Sequence, residues 1–414
     1  MFARYAAFVL HLSVYLGSFA LAMVLPLLPM LIDTLLDEKH ASLSSLSHWS
    51  GLAAAATPLM VALTLPVWMT AARQGHAKWL LRLVLVIGGV LLASLAKVQH
   101  LEQVVLLRLG LGCVACMPIL AVAVAPSLGM PRFAGRLTGW VRLMIQASLV
   151  LGPPLGGLLA HGIGVRMTLV TAGLISVTAG LIMTVAFDHP LSAPDTSEPE
   201  PDKERWPAAQ RTVWSGAMLL LQAGTAAVGP LLALHLMEGL EIDYDRVTSW
   251  TGVILGAMAL SGLITSLCAN LIADLLPIRT TLVIGCVLAM GLTWLMAHTA
   301  DKVVLMAWAI AWSGVMTALI TLMLAAAGRH RTMRERLSML GWLAAVEPVG
   351  AALGPLAAAW GAAIRPQAIF TLSGIITLAA IPLITAMKIP AAQAPMPALG
   401  RFAPSQEIVE PLSD

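Results

Sequence analysis

Charge is scarce in this sequence. Asp, Glu, Lys and Arg together make up 11% of its 414 residues, too little polar surface to cover a soluble globule of that size. A formal net charge of +3, with no basic stripe interleaved with aromatics, argues against nucleic acid as a partner. Cysteine is scarce as well. Cys113, Cys116, Cys268 and Cys286 all fall in apolar stretches. No His or carboxylate stands beside the Cys113/Cys116 pair, so these read as small packing residues rather than redox groups or metal ligands. No phosphate-binding loop of the Walker type occurs, so ATP drive is unsupported. No nucleophile–base constellation or metal-ligand spacing marks an enzyme, and neither a metal nor a bound cofactor is expected.

What the chain has instead is apolar length. It is 59% hydrophobic, with a mean hydropathy of +0.87. At about 20 residues per crossing, the apolar runs predict about twelve membrane helices. They cover 6–30, 48–70, 79–97, 103–127, 137–160 and 165–187, then 212–236, 249–272, 279–298, 302–326, 337–361 and 367–387. The break at 188–211 is rich in Pro, Ser and charge and reads as a solvated linker between six-helix halves at 1–187 and 212–388. The segment 389–414 reads as a disordered tail. The first run, from about Tyr5, is longer than a signal h-region and lacks a clean small-residue cleavage site, so it is expected to remain as a helix. The expectation is an all-α integral membrane protein.

Placing both termini in the cytoplasm leaves Lys39, Lys97, Arg166, Arg246, Lys302 and Arg365 outside, and Arg108 within a span. The rest of the 24 Lys and Arg then lie on the cytoplasmic side, as the positive-inside rule asks. The halves also repeat. Trp49-Ser50-Gly51 opens span two, and Trp250-Thr251-Gly252 opens span eight. Gly152-Pro153, in span five, returns as Gly354-Pro355 in span eleven, with Ser148 and Gly350 four residues ahead of each pair and Gly156-Gly157 becoming Ala358-Ala359. Small residues beside an in-helix proline suit a membrane bundle, where neighbouring helices satisfy the freed carbonyls and backbones approach closely. Matched copies suggest a duplicated transporter.

On these residues the chain resembles the major facilitator superfamily, and within it the twelve-span drug:proton antiporters. The resemblance covers nearly the whole chain. The antiporter motif of span five, Gly-x-x-x-Gly-Pro-x-x-Gly-Gly, is met at Gly152, Pro153, Gly156 and Gly157, with Ser148 in place of the first Gly. In that family it marks exporters and is thought to bend the helix and seal the closed state. The span-four pattern Arg-x-x-x-Gly is met by Arg108 and Gly112, and the family Arg is implicated in proton transfer. Leu25-Pro26-Leu27-Leu28-Pro29 is similar to the double-proline exit of span one. The loop between spans two and three departs: Arg73, Gly75 and Lys78 are recognisable, but the family's Asp is missing. The second copy keeps the acid as Asp274, followed by Arg279, so these five residues are the candidate cytoplasmic gate. The resemblance implies a bacterial inner-membrane protein, a monomer, driven by the proton gradient.

Glu347 is the strongest candidate for transport chemistry. It lies near mid-bilayer, seven residues before Gly354, where a charged carboxylate costs a few kcal/mol and so faces a cavity, finds a partner or takes up a proton. Its expected role is proton coupling or binding a cationic substrate, against a purely structural pair with Arg142 or Arg108. Arg108 is expected to couple or gate, or to snorkel outward. Arg142 reads as snorkelling to the cytoplasm; a cavity-facing Arg142 would instead bind an anionic substrate. Gln146 and Gln222 are candidate substrate contacts, equally explained by helix–helix hydrogen bonds. His11 and His235 read as ordinary interfacial histidines, and Asp33 as solvated. Trp49, Trp140, Trp250 and Trp342 fit an aromatic belt.

The sequence therefore predicts a secondary transporter exporting a small organic molecule, such as a drug, a secreted metabolite or a siderophore, against protons. The alternatives are an uptake symporter of the same fold and a non-transporting membrane sensor or assembly factor.

Overall fold

A computed structural model describes residues 2–36, 42–71, 77–124, 134–186, 207–273, 277–328 and 333–389. The expected contacts at Arg73, Gly75 and Asp274 lie outside these residues, as do 188–206 and 390–414. Among the described residues the regular structure is helical throughout, and 12 helices are long and apolar enough to cross a membrane. We label them α1 (Tyr5–Asp33), α2 (Leu43–Ala71), α3 (Ala77–Lys97), α4 (Leu101–Val122), α5 (Gly139–Ile163) and α6 (Val165–Thr184). The second half holds α7 (Ala208–Gly239), α8 (Tyr244–Ala269), α9 (Ile278–His298), α10 (Lys302–Ala327), α11 (Ser338–Ala362) and α12 (Ala368–Ala386).

The number and order of the spans match the sequence reading, and the ends move where local chemistry dictates. α2 starts at Leu43 rather than 48 because the Ser42 hydroxyl accepts the Ser45 backbone N–H at 3.1 Å, capping the first turn. α7 starts at Ala208, within the expected linker, because Pro207 precedes two alanines that favour helix. The Asp301 carboxylate accepts from the backbone N–H groups of Val303 and Val304 and fixes the start of α10. Pro26 and Pro230 each sit in a 3₁₀ turn, Leu25–Leu27 in α1 and Gly229–Leu231 in α7. The same interruption thus falls at matching places in the two halves.

Packing repeats with the sequence. In the first half α1 lies on α5 and α6, α2 on α4, and α3 on α6. In the second, α7 lies on α11 and α12, α8 on α10, and α9 on α12. The halves meet through two equivalent pairs, α5 with α8 and α11 with α2. Large apolar side chains remain exposed around the bundle, including Leu63, Leu158, Leu181, Val287 and Trp360. On a chain with so little charge, these are the lipid-facing sides. α7 starts beside the end of α12, where Gln210 accepts from the Lys388 N–H at 2.9 Å. We call the face where α1 begins and α12 ends the terminal face, and the opposite one the far face.

Glycines set the helix separation within each half. On α5, a Cβ at Gly152 would meet Ala22, and one at Gly156 the Met23 backbone, both on α1. On α11, Gly350 meets the Leu219 carbonyl and Gly354 the Ala223 carbonyl, both on α7. Filling such a site forces backbone to move, at about 1–3 kcal/mol. Gly156→Leu should therefore lower the thermal midpoint of the detergent-purified protein by several degrees. Gly162→Leu, with open space around its Cβ, should leave the midpoint unchanged.

Candidate functional site

The two halves touch along a seam made of backbone. On α8, a Cβ at Gly252 would strike the Pro153 carbonyl of α5, and one at Gly256 the Pro154 ring and the Val150 carbonyl. Gly157 sits against the Thr248 carbonyl and Ser249. On the other pair, Gly51 of α2 lies against Pro355 and Ala359 of α11. Gly51 and Gly252 are the two copies of one position, and so are Pro355 and Pro153. The seam is therefore the same contact made twice. Each antiporter-type helix uses one side to join its own half and another to join the opposite half. Ser148 is buried, and its hydroxyl bonds the Ile145 carbonyl at 2.6 Å.

The far face adds polar ties across the seam. The Tyr244 hydroxyl at the start of α8 donates to the Asp33 carboxylate at the end of α1. His161 Nδ1 lies 2.7 Å from the Asp245 carbonyl, joining α5 to α8. Asp33 is thus engaged between halves, not merely solvated as its position at the end of a span suggested. Its partner lies in the other half, beyond any local sequence signal.

On the terminal-face side of the seam lies a cavity of about 640 Å³. α2 contributes Thr57, Pro58, Val61, Leu65 and Met69. α11 contributes Gly341, Ala344, Glu347, Pro348 and Ala351, one stripe recurring at three and four residues. α4 contributes Ala115, Pro118, Ile119 and Val122, and α5 adds Arg142 and Ile145. α4 breaks beside this space: its helix stops at Val114 and resumes at Met117. Among the described lining residues, Glu347 and Arg142 carry the charge, and each is exposed into the cavity. They act on one another electrostatically. The snorkelling reading of Arg142 is accordingly replaced by its cavity-facing alternative. A helix end tells how far a side chain must reach for water, not which neighbours surround it.

Other candidates are placed elsewhere. Arg108 is 9% exposed and donates from Nε to the Ala53 carbonyl at 3.2 Å. The Thr57 hydroxyl donates to the Arg108 carbonyl at 2.9 Å, and Gly112 lies against the Thr57 carbonyl. The Arg-x-x-x-Gly motif thus holds α4 onto α2, away from the lining of the cavity, and Arg108 is buried rather than snorkelling. Gln222 is buried at the α7–α11 contact beside Gly350. Gln146, one turn beyond Arg142, is half-buried and does not line the cavity. Lys78 lies in the first turn of α3, and Arg279 donates to the Met387 carbonyl, tying α9 to the end of α12. His11 contacts the Ala7 and Leu137 carbonyls and joins α1 to the start of α5. His235 is fully buried, edge-on to Phe370 at 4.8 Å. At the helix ends, Arg211 stacks over Trp342 and Lys302 over Trp250, while Trp140 is exposed.

The family profile described as Major Facilitator Superfamily matches residues 7–334 and 215–411. Multidrug resistance protein MdtG of Serratia proteamaculans (strain 568) is 26% identical over 271 residues, 63% of each chain. The MdtG protein of Escherichia coli O9:H4 (strain HS) is 25% identical over 268 residues, 62% of each. The chain thus spans somewhat under two thirds of the length of these curated relatives. Among solved structures, a bacterial homolog to the human lysosomal transporter Spinster, inward-facing and unoccupied, superposes with a TM-score of 0.72 at 13% identity, covering 93% of this chain and 95% of that one. The nucleoside transporter NupG gives 0.69 at 12% identity, covering 92% and 98%. These likenesses carry the fold alone. The twelve spans, their duplicated packing and the profile that covers nearly all of them agree: the chain belongs to the Major Facilitator Superfamily.

Proposed function

We propose that this transporter exports a small organic molecule against protons, by alternating access, from the cytoplasmic membrane of a bacterium. Both termini lie in the cytoplasm in this reading, so the cavity on the terminal-face side serves the cell interior and the glycine seam closes the outside. The observation that carries it is Glu347, a carboxylate in a largely apolar cavity between two halves. In such surroundings an ionised carboxylate needs a cation or a proton. Substrate and proton therefore compete for one group, which is the minimal requirement of an exchanger. The antiporter-type motif at Gly152, Pro153, Gly156 and Gly157 supports outward movement, as do the MdtG relatives named for multidrug resistance.

The cycle needs few parts. With Glu347 ionised, substrate enters from the inside. The halves then rock about the α5–α8 and α11–α2 contacts, and protonation of Glu347 from outside releases the load; the protonated carrier turns back and gives its proton to the cytoplasm, which restores the ionised carboxylate. The proton gradient is the sole drive, no cofactor takes part, and the monomer suffices. Arg108, locked between α2 and α4, transmits position rather than touching substrate. Resemblance to the family assigns the inner gate to Arg73, Gly75, Lys78, Asp274 and Arg279.

Glu347→Gln should reduce gradient-driven transport in membrane vesicles to the level of vesicles lacking the protein, with an unchanged thermal midpoint. Undiminished proton-driven transport by that variant would overturn the assignment. Direction is read separately, by untargeted mass spectrometry of cells and medium with and without the gene. A compound retained in deletion cells and missing from their medium supports export; one left unused in the medium means uptake.

A further inference from the structure

The two charges of the cavity come from opposite halves: Arg142 projects from α5 and Glu347 from α11. The remaining described lining is apolar except for Thr57, whose hydroxyl hydrogen is already donated to the Arg108 carbonyl. A ligand therefore finds one cationic and one anionic partner and little else that is polar. Consider first a ligand with a single positive charge. It pairs with Glu347 and leaves the Arg142 guanidinium without an anion in a largely apolar cavity, where an unmatched charge is costly. A ligand with a single negative charge does the reverse and strands Glu347. A ligand with both charges satisfies both side chains together.

We infer that the cavity selects zwitterions: small amphipathic molecules that place an anionic group on Arg142, a cationic group on Glu347 and an apolar body against Val61, Leu65, Ile119 and Ile145. The planar guanidinium fork suits a carboxylate or phosphonate through paired hydrogen bonds. A bound zwitterion also bridges the halves, drawing α5 and α11 together where the empty cavity has only the attraction of the two side chains. Charge complementarity thereby sets specificity and favours closure over the load. This inference rests on the reading of the cavity as the transport site and goes further by naming the chemical class of its cargo.

The test uses one fluorescent body in three charge states with the purified full chain. Nα-dansyl-lysine carries both an ammonium and a carboxylate. Its methyl ester keeps only the cation, and its Nε-acetyl derivative only the anion. Dansyl fluorescence reports entry into an apolar site. The zwitterion should bind at least about tenfold more tightly than either singly charged form, a difference of about 1.4 kcal/mol. Arg142→Gln should erase the preference over the ester, and Glu347→Gln the preference over the acetyl derivative. The double variant should bind all three alike, and its thermal midpoint shows whether it is folded. An ester that binds as tightly as the zwitterion overturns the inference, and so does a failure of all three to bind. Zwitterion-selective binding without gradient-driven transport would refute the exporter reading and leave the inference standing.

Discussion

Where two membrane helices carry no side chains between them, their backbones meet, and small changes of angle become large changes of contact. Lipid offers little hydrophobic drive between helices, so close packing has to supply it. In this protein that packing joins α5 to α8 through Gly157, Gly252 and Gly256, and α11 to α2 through Pro355, Ala359 and Gly51. A Cβ at any of the glycines would push backbone apart. The prolines add a second property, since each leaves a carbonyl without its helical partner and lets the helix bend there. The contact between halves thus combines close backbone approach with in-helix prolines at the same level, twice over.

The cavity depends on that geometry. Closing the bundle by backbone contact on the far-face side leaves residues of α2, α4, α5 and α11 to line an open space on the terminal-face side. Only in such a space can Arg142 and Glu347 stay accessible without facing lipid. The two face one cavity from opposite halves. A side chain that titrates or takes a ligand there acts on the relation between the halves as well as on its own charge.

Much of this was legible in the sequence, for specific reasons. The spans were, because an apolar run long enough to cross a membrane has few other uses. The duplicated seam was, because close helix approach demands small residues and so leaves Gly51, Gly157 and Gly252 as marks. Glu347 stood out because a mid-span carboxylate is expensive. The direction of Arg142 was not legible: it depends on how α5 is rotated against α11, and nothing local to the residue records that. Arg108 was marked by its motif, but the bonds of its Nε to the Ala53 carbonyl and of the Thr57 hydroxyl to its own carbonyl needed the fold. The Asp33–Tyr244 tie needed the fold as well, since its partners lie in different halves.

The claim that the glycine seam is the moving gate is tested most directly by distance measurement between spin labels across it. Ile163 at the end of α5 and Val303 at the start of α10 are both exposed on the far face and lie on opposite halves. With labels at these positions in liposomes, a gate at this seam gives a short distance at neutral pH and a longer population as the medium outside is acidified. Adding Gly157→Leu moves the population to the longer distance without acid. A single distance, unaltered by either change, would contradict it.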